Sequence, residues 1–320
     1  MFVDEVSYQI SKLLRRVKIA LNHTDRTQVL RTVGILVITF AVLGTSPVEK
    51  VKEEPEVQGV EENVSPTADE GKSLALEAPS ERGSELVATV SAQAAYVIDS
   101  KTDTVLYEKN PDQRLPMASL TKIMTAIVVL DNFQLDEIVA VPELCTHLPP
   151  FKVGYAAGQK LTVQELLYGM LVASGSDASC ALSHHFDGNF LELMNQKASE
   201  LGLTKTYFEN EIGLDSENGN HLSTAKDLVK LSQEALKSGV FRKIVGTAQW
   251  QGLTSTNELL FTLPGTTGIK TGFTIQAQGC LAVSYEREGR KIIGVILGSE
   301  DRFLDMRQIL DWVFEAYQWP

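Results

Sequence analysis

The chain has 320 residues, of which 43% are hydrophobic, and a formal net charge of −12. Such a chain is too long for a minimal domain and apolar enough for a sizeable core. Residues 86–320 carry 27 acidic and 19 basic side chains, and this balance excludes a protein that binds nucleic acid through a basic surface.

The N-terminal segment has the pattern of a membrane anchor. Residues 1–32 contain six basic and three acidic side chains, and residues 33–48 contain no charged side chain. Under the positive-inside rule this order keeps 1–32 in the cytoplasm and places the rest of the chain outside. We predict a single-pass transmembrane anchor at 33–48. This run is short for a bilayer core of about 30 Å, and a span from Leu30 to Val48 with the Arg31 side chain snorkelling to the interface would be long enough. A cleaved signal peptide and a buried core helix are the alternatives.

An acidic linker is predicted to follow at 49–85. This segment holds eleven acidic and four basic residues, with Pro55, Pro66 and Pro79 spread among the glutamates. It cannot bury enough apolar surface to offset the entropy lost on ordering, so we expect it to be disordered. Such a linker would let a catalytic domain at 86–320 reach a polymer held away from the membrane, although a plain spacer has the same composition.

From Ala92 the hydrophobic pattern becomes that of a folded domain. Strands are predicted at Ala94–Asp99 and Thr104–Glu108, joined as a hairpin, and a helix from Ser119 to about Asn132. The later elements are helices at 162–172, 177–186, 189–201 and 225–237, strands at 268–271, 281–285 and 291–297, and a closing helix at 302–317. Strands near both ends of a helical middle predict an α+β fold, with an antiparallel sheet, a helical lobe and the active site at their junction.

Two short motifs carry candidate chemistry. Ser119 and Lys122 are three residues apart, so on a helix they share one face and the lysine amine can reach the serine hydroxyl. A serine with a neighbouring base is a nucleophile for acyl transfer. Lys270-Thr271-Gly272 opens a strand-like run. Lys270 offers a fixed positive charge for a substrate carboxylate, and Gly272, which has no side chain, lets a peptide approach the edge of the strand closely.

Between these motifs, Ser174-Gly175-Ser176-Asp177 follows a predicted amphipathic helix and offers a third hydroxyl on a loop. Other catalytic patterns are missing from the sequence. It has no G-x-S-x-G nucleophile elbow and no H-E-x-x-H zinc motif, and Cys145, Cys180 and Cys280 lack metal-ligand spacing. We therefore predict no metal site and buried thiols, and interpret His221 as a loop residue.

In the order of these motifs the chain resembles the serine-type D-alanyl-D-alanine carboxypeptidases, the low-molecular-weight penicillin-binding proteins. The resemblance extends over roughly 92–319. Besides the three motifs it rests on Tyr96-Val97-Ile98-Asp99, Leu106 to Asn110, Pro116 to Ala126, Asn210 with Gly213-Leu214-Asp215, Ser223-Thr224-Ala225, Asn257, and Gly268 to Phe273. It implies the serine β-lactamase-like fold.

The resemblance also implies a role for each motif residue. Ser119 would be acylated, Lys122 would act as its base, and Ser174 would relay a proton to the leaving amine. The substrate-binding residues that it implies are Ser176, Lys270, Thr271, Gly272 and Phe273. Backbone N–H groups of Ser119 and Phe273 would form the oxyanion hole. We expect burial and the positive charge of Lys270 to lower the pKa of Lys122.

One position departs from the family pattern. The second motif of the family is usually Ser-x-Asn, and Ser176 occupies the place of the asparagine. Serine is shorter and has no amide, so it cannot offer a donor and a carbonyl acceptor at once. The departure implies a slow enzyme rather than a different reaction.

The expected substrate is a peptidoglycan stem peptide ending in D-Ala-D-Ala, with β-lactams as inhibitors and no cofactor. Two alternatives stay open: a DD-endopeptidase that cuts peptidoglycan cross-links with the same residues, and a catalytically weak module that binds cell-wall peptide. A class A β-lactamase is disfavoured, because the chain contains neither an S-D-N nor a Glu-x-x-x-Asn motif.

Overall fold

A five-stranded antiparallel sheet organises the fold. The computed structural model describes residues 77–82, 87–148, 151–216 and 218–320, which lie in one compact unit. The strands of the sheet are β1 (Ala94–Asp99), β2 (Val105–Lys109), β3 (Thr266–Thr274), β4 (Gln278–Arg287) and β5 (Arg290–Ser299). Their order is β3-β4-β5-β1-β2, and every neighbouring pair is antiparallel. The predicted α+β class is confirmed, and β3 lies at one edge.

Both faces of this sheet are covered, because side chains alternate along each strand. On β5, Val295 belongs to a core shared with the helical lobe, whereas Ile296 belongs to a second core with the C-terminal helix. On β1, Ile98 belongs to the first core and Val97 to the second. All four side chains are buried, so a one-residue slip in register would exchange the contents of the two cores.

Eight α-helices are found within the described ranges. They are α1 (Lys122–Asn132), α2 (Val163–Leu171), α3 (Ser176–His185), α4 (Phe190–Glu200), α5 (Ala225–Ala235), α6 (Gly239–Val245), α7 (Leu259–Thr262) and α8 (Arg302–Ala316). The boundaries of α2 to α5 and α8 agree with the sequence predictions to within one or two residues. The short helices α6 and α7 were not predicted, because neither is long enough to show a clear hydrophobic period.

Local capping explains where the helices of the lobe begin. The Thr162 hydroxyl accepts from the Glu165 N–H at 3.1 Å, and the Glu165 carboxylate accepts from the Thr162 N–H at 2.7 Å. This reciprocal capping box satisfies donors that the first turn of α2 would otherwise leave unpaired. Asn189 caps α4 through a bond from the Glu192 N–H at 3.1 Å.

The N-terminal end of the described region pairs with the C-terminal end. Ser80–Glu81 forms a short antiparallel pair with Tyr317–Gln318, and the Arg82 N–H donates to Ala316 O at 2.7 Å. Residues 80–82 lie within the segment predicted to be a disordered linker, and for these residues the prediction is wrong. Composition could not reveal the pairing, because it depends on backbone groups at the other end of the chain.

The predicted membrane anchor at 33–48 lies outside the described residues, as do residues 1–32 and most of the predicted linker. Among the helices that the structure describes, none combines the length and the apolar character needed to cross a bilayer. The anchor and its orientation therefore stay predictions.

A disulfide joins two of the three cysteines and corrects the prediction of buried thiols. Cys145, in a short 3₁₀ turn (Glu143–His147), is bonded to Cys180 of α3. Sequence could not pair them, because an odd cysteine count specifies no framework. Cys280 is a buried free thiol, as predicted, and burial raises its pKa to about 12.

We expect Cys145→Ala/Cys180→Ala to lower the free energy of unfolding by about 2–4 kcal/mol, since the bond closes a long loop in the unfolded chain. Urea denaturation measures the loss, and Cys280→Ala in the oxidised protein is the control for removing a buried thiol. Thiol titration of the denatured, unreduced protein should detect one reactive group, that of Cys280. Three groups before reduction would contradict the pairing.

Candidate active site

Ser119 lies in a 3₁₀ turn, Ala118–Thr121, that leads directly into α1. Its Oγ is 3.0 Å from Lys122 Nζ, so the structure brings the two residues of the first motif together. The prediction of an α-helix starting at Ser119 is corrected, because the regular helix begins at Lys122. Ser119 remains partly exposed while the lysine is fully buried.

Two non-glycine residues at the candidate serines adopt left-handed backbone conformations. Ala118, immediately before Ser119, has φ 47°, and Ser174 has φ 61°. Such values are uncommon for residues with a Cβ and persist only where surrounding contacts enforce them. Such backbone conformations are common at active sites, and here both occur at the candidate hydroxyl groups.

The Lys122 amine is buried between two acceptors. Nζ donates to Ser119 Oγ at 3.0 Å and to Ile212 O at 2.7 Å, and its side chain is 0% exposed. Burial lowers its pKa to about 7, against the opposing effect of the Glu211 and Asp177 carboxylates. A substantial fraction of the amine is therefore neutral near pH 7 and able to take a proton from Ser119.

The cause of this shift differs in part from the expectation. Burial lowers the pKa of Lys122, as expected, but the charge of Lys270 is not among its causes. The effect is on the other lysine: burial, then the charges of Lys122 and Arg302, hold the pKa of Lys270 well below its usual range. Desolvation dominates at both amines, because each is almost completely removed from water.

The acceptor Ile212 O is supplied by the segment 209–215, here called the base loop. The Asn210 Oδ1 accepts from the backbone N–H groups of Ile212, Gly213 and Leu214 at 2.6–3.2 Å. Gly213 has φ +93°, and a Cβ there would lie 2.1 Å from Ala118 O. Glycine is therefore required for the base loop to approach the serine turn. Sequence identified Asn210 and Gly213 only through the family resemblance.

The third motif lies on the edge strand β3, opposite the serine turn. Lys270 Nζ donates to Ser174 Oγ at 2.9 Å and to Thr271 O at 3.0 Å, so the structure joins the second motif to the third. A Cβ on Gly272 would lie 3.0 Å from Ser119 N, which explains the glycine at this point. Phe273 follows it on β3 and is partly exposed.

Thr256 is a site residue that sequence reasoning missed. Its Oγ1 lies 2.6 Å from Thr271 Oγ1 and fixes the hydroxyl predicted to bind the substrate carboxylate. No motif marks Thr256, because the contact joins two segments only through the fold.

Ser176 is the first residue of α3 and is almost fully buried, and its N–H donates to Phe151 O at 2.7 Å. The neighbouring Asp177 has a structural role: its carboxylate accepts from the N–H groups of Val153, Gly154 and Tyr155 at 2.8–3.2 Å. The start of α3 is thus held to the chain segment that precedes α2.

One cluster among the described residues has the ligand types of a metal site, namely Cys145, Cys180 and His184. Both sulfur atoms belong to the disulfide, so neither is a thiolate ligand.

Comparison with known proteins agrees with this geometry. Residues 80–301 match the family model of the peptidases described as D-alanyl-D-alanine carboxypeptidase. The chain belongs to this family. The matched range contains Ser119, Lys122, Ser174 and Lys270 and ends at the start of α8.

Among its relatives, the D-alanyl-D-alanine carboxypeptidase DacF of Bacillus subtilis is 34% identical, over 71% of this chain and 63% of its own length. The D-alanyl-D-alanine carboxypeptidase of Streptomyces sp. strain K15 is 33% identical, over 71% of this chain and 88% of its own. This chain thus spans less than two thirds of DacF. The crystal structure of the Streptomyces K15 DD-transpeptidase matches with a TM-score of 0.68 and 32% identity, over 71% of this chain and 98% of that one.

Proposed function

We propose that this protein is a serine-type D-Ala-D-Ala carboxypeptidase that removes the terminal D-alanine from peptidoglycan stem peptides through an acyl-enzyme on Ser119. One observation carries the proposal: Ser119 Oγ lies 3.0 Å from the buried amine of Lys122, whose pKa is lowered to about 7. A hydroxyl with its own neutral base is suited to nucleophilic attack on an acyl carbon. Family membership supports the same reaction class.

The stem peptide binds along β3, since this strand has a neighbour on one side only in the sheet. An extended peptide can add to such an edge through main-chain hydrogen bonds. Lys270 and Thr271 hold the terminal carboxylate, and the close approach of Gly272 to Ser119 brings the penultimate D-alanine carbonyl to the nucleophile. Ser176 contacts the substrate from the start of α3.

Acylation breaks the D-Ala-D-Ala amide bond. Lys122 takes the hydroxyl proton of Ser119 as Oγ bonds to the carbonyl carbon, and the backbone N–H groups of Ser119 and Phe273 stabilise the resulting oxyanion. The Ser174 hydroxyl accepts a hydrogen bond from Lys270 Nζ at 2.9 Å and gives its proton to the departing amine. The proton that Lys122 took from Ser119 then passes through Lys270 to Ser174, and Lys122 becomes neutral again. D-Alanine leaves, and the ester on Ser119 remains.

Hydrolysis completes the cycle. Neutral Lys122 accepts a proton from a water molecule as this attacks the ester, and the proton then returns to Ser119 Oγ as the shortened stem peptide is released. No cofactor takes part. A β-lactam presents a strained amide beside a carboxylate and follows the same first step, which makes it an inhibitor where hydrolysis of the adduct is slow.

Ser119→Ala should reduce the release of D-alanine from a D-Ala-D-Ala tripeptide by about 10³-fold or more, because no other group replaces the nucleophile. Released D-alanine and covalent labelling by fluorescent penicillin are the measurements. Ser199→Ala, at an exposed serine of α4, is the matched control.

The wild-type result separates the alternatives. Cleavage of a cross-linked dimer without release from the tripeptide would show an endopeptidase. Binding of the tripeptide without cleavage of either substrate would show a binding module. A penicillin adduct mapped to Ser174 would overturn the assignment of the nucleophile.

The rate of penicillin acylation should fall about tenfold for each pH unit below about 7, since protonation removes the basic form of Lys122. Above that pH the rate should level off, because the amine is then neutral. Stopped-flow labelling from pH 5 to 9 measures the profile. Lys122→Arg, whose guanidinium stays protonated, should abolish acylation at every pH, as should Lys122→Met, which places no charge in the buried site. Lys197→Arg is the control, because it keeps the positive charge of a lysine on α4 that pairs with Asp131 of α1. An acid limb centred near pH 4 would exclude Lys122 as the titrating base.

We further propose that the catalytic domain lies outside the bacterial cell membrane and is anchored by residues 33–48. It is supported by the basic residues that precede the apolar run and by the Cys145–Cys180 disulfide, a bond typical of oxidising compartments. Protease added to spheroplasts should cut between residues 49 and 79 and leave an N-terminal tag protected. Protection of this segment until lysis would invert the topology, and a mature N-terminus at Thr45 would show a cleaved signal.

A further inference from the structure

A buried hydrogen-bonded path joins the base loop to the turn that carries the nucleophile. His221 is 3% exposed, with Nδ1 3.0 Å from Glu209 N and Nε2 2.7 Å from Thr121 Oγ1. Thr121 Oγ1 lies 2.8 Å from Ala118 O. None of these groups takes part in the acyl transfer described above. The interpretation of His221 as an ordinary loop residue is therefore incomplete.

The donors and acceptors along this path allow one arrangement of protons. The Glu209 N–H can only donate, so Nδ1 of His221 must be the unprotonated acceptor. Ala118 O can only accept, so the Thr121 hydroxyl donates to it and has to accept from Nε2. The ring is then neutral with its proton on Nε2. Burial lowers the pKa of His221 to about 4, against the opposing Glu209 carboxylate, which keeps this form at neutral pH.

Both ends of the path lie next to catalytic groups. Ala118 O belongs to the left-handed residue directly before Ser119. At the other end, Glu209 N begins the base loop, whose Ile212 O accepts from Lys122 Nζ at 2.7 Å. A shift at either end would change the separation of the nucleophile and its base, and small displacements of reacting groups cost large factors in rate.

We propose that His221, as the neutral Nε2–H tautomer, is a positioning residue that fixes the Ser119 turn against the loop holding Lys122. The hydrogen-bonded path from Glu209 N through His221 and Thr121 to Ala118 O is here called the relay, and Thr121 is its second side chain. The inference rests on the proposed acyl-enzyme function of Ser119.

Two substitutions break the relay with little change in volume. His221→Phe keeps a ring but loses both hydrogen bonds, and Thr121→Val replaces the hydroxyl by a methyl group. Each should lower the first-order rate constant of acylation by fluorescent penicillin about tenfold, the effect of losing a buried hydrogen bond. The dissociation constant of the pre-covalent complex should change less than twofold, because the relay touches no proposed substrate group.

Controls separate positioning from general destabilisation. Thr121→Ser keeps the hydroxyl and should recover most of the lost rate. Phe208→Leu reduces packing against the His221 ring, whose centroid lies 6.1 Å from that of Phe208, but leaves both hydrogen bonds intact. It should lower thermal stability while acylating within about twofold of the wild type. Circular dichroism melts of each variant measure stability in parallel.

Two further measurements report on the relay itself. The double variant His221→Phe/Thr121→Val should be acylated no more slowly than either single variant. Both substitutions interrupt the same path of hydrogen bonds, so their effects on the rate should not add. ¹⁵N-histidine NMR of the wild-type protein should show His221 as the neutral Nε2–H tautomer from pH 5 to 8.

The outcomes distinguish this inference from the proposed function. If wild-type protein is neither acylated by penicillin nor active on the tripeptide, both fail. If it is acylated but the relay variants react at the wild-type rate, only the relay fails. An Nδ1–H tautomer, multiplicative losses in the double variant, or an equal loss in Phe208→Leu would likewise overturn the relay.

Discussion

The buried amine of Lys122 is the constraint on which the rest of the site depends. Removing an ammonium group from water is costly, so the amine needs either a lowered pKa or good acceptors. Here it has both, with Ser119 Oγ and Ile212 O within 3.0 Å. Each acceptor comes from an irregular segment, a 3₁₀ turn entered through left-handed Ala118 and the base loop. The first segment has only a single turn of 3₁₀ hydrogen bonds, and the base loop lies outside the helices and strands, so contacts with other segments hold both in place.

A second buried lysine, Lys270, relates this constraint to the proposed binding of the substrate carboxylate. Burial, and then the charges of Lys122 and Arg302, lower the pKa of Lys270 in the free protein. In the proposed complex, a carboxylate beside Lys270 supplies the opposite charge and favours its protonated form. The proposed binding of a terminal carboxylate is in this way coupled to the charge state of Lys270.

Sequence predicted the parts of this structure that have a local signature. Strands and helices follow from hydrophobic periods, and the spacing of Ser119 and Lys122 follows from helical geometry. It could not predict that Ile212 supplies the second acceptor, because the contact uses a backbone carbonyl and any residue type carries one. The contacts of His221, named only as a loop residue, and the whole of Thr256 were missed for a related reason. Each hydrogen-bonds a partner from another segment, and a single sequence contains no record of such pairs.

The base loop shows why an irregular segment can be as well fixed as a helix. Its groups accept hydrogen bonds from three elements. Glu211 O accepts from Thr125 Oγ1 of α1 at 2.7 Å and from Ser179 Oγ of α3 at 2.8 Å. The Asp215 carboxylate accepts from Thr274 Oγ1 of β3 at 2.6 Å. One short loop therefore sets α1, which begins at Lys122, α3 and the edge strand β3 relative to one another. Acyl transfer requires those three to meet within a fraction of an ångström. Hydroxyl groups with no chemical role, such as those of Thr125 and Ser179, thus determine how accurately the reacting groups are placed.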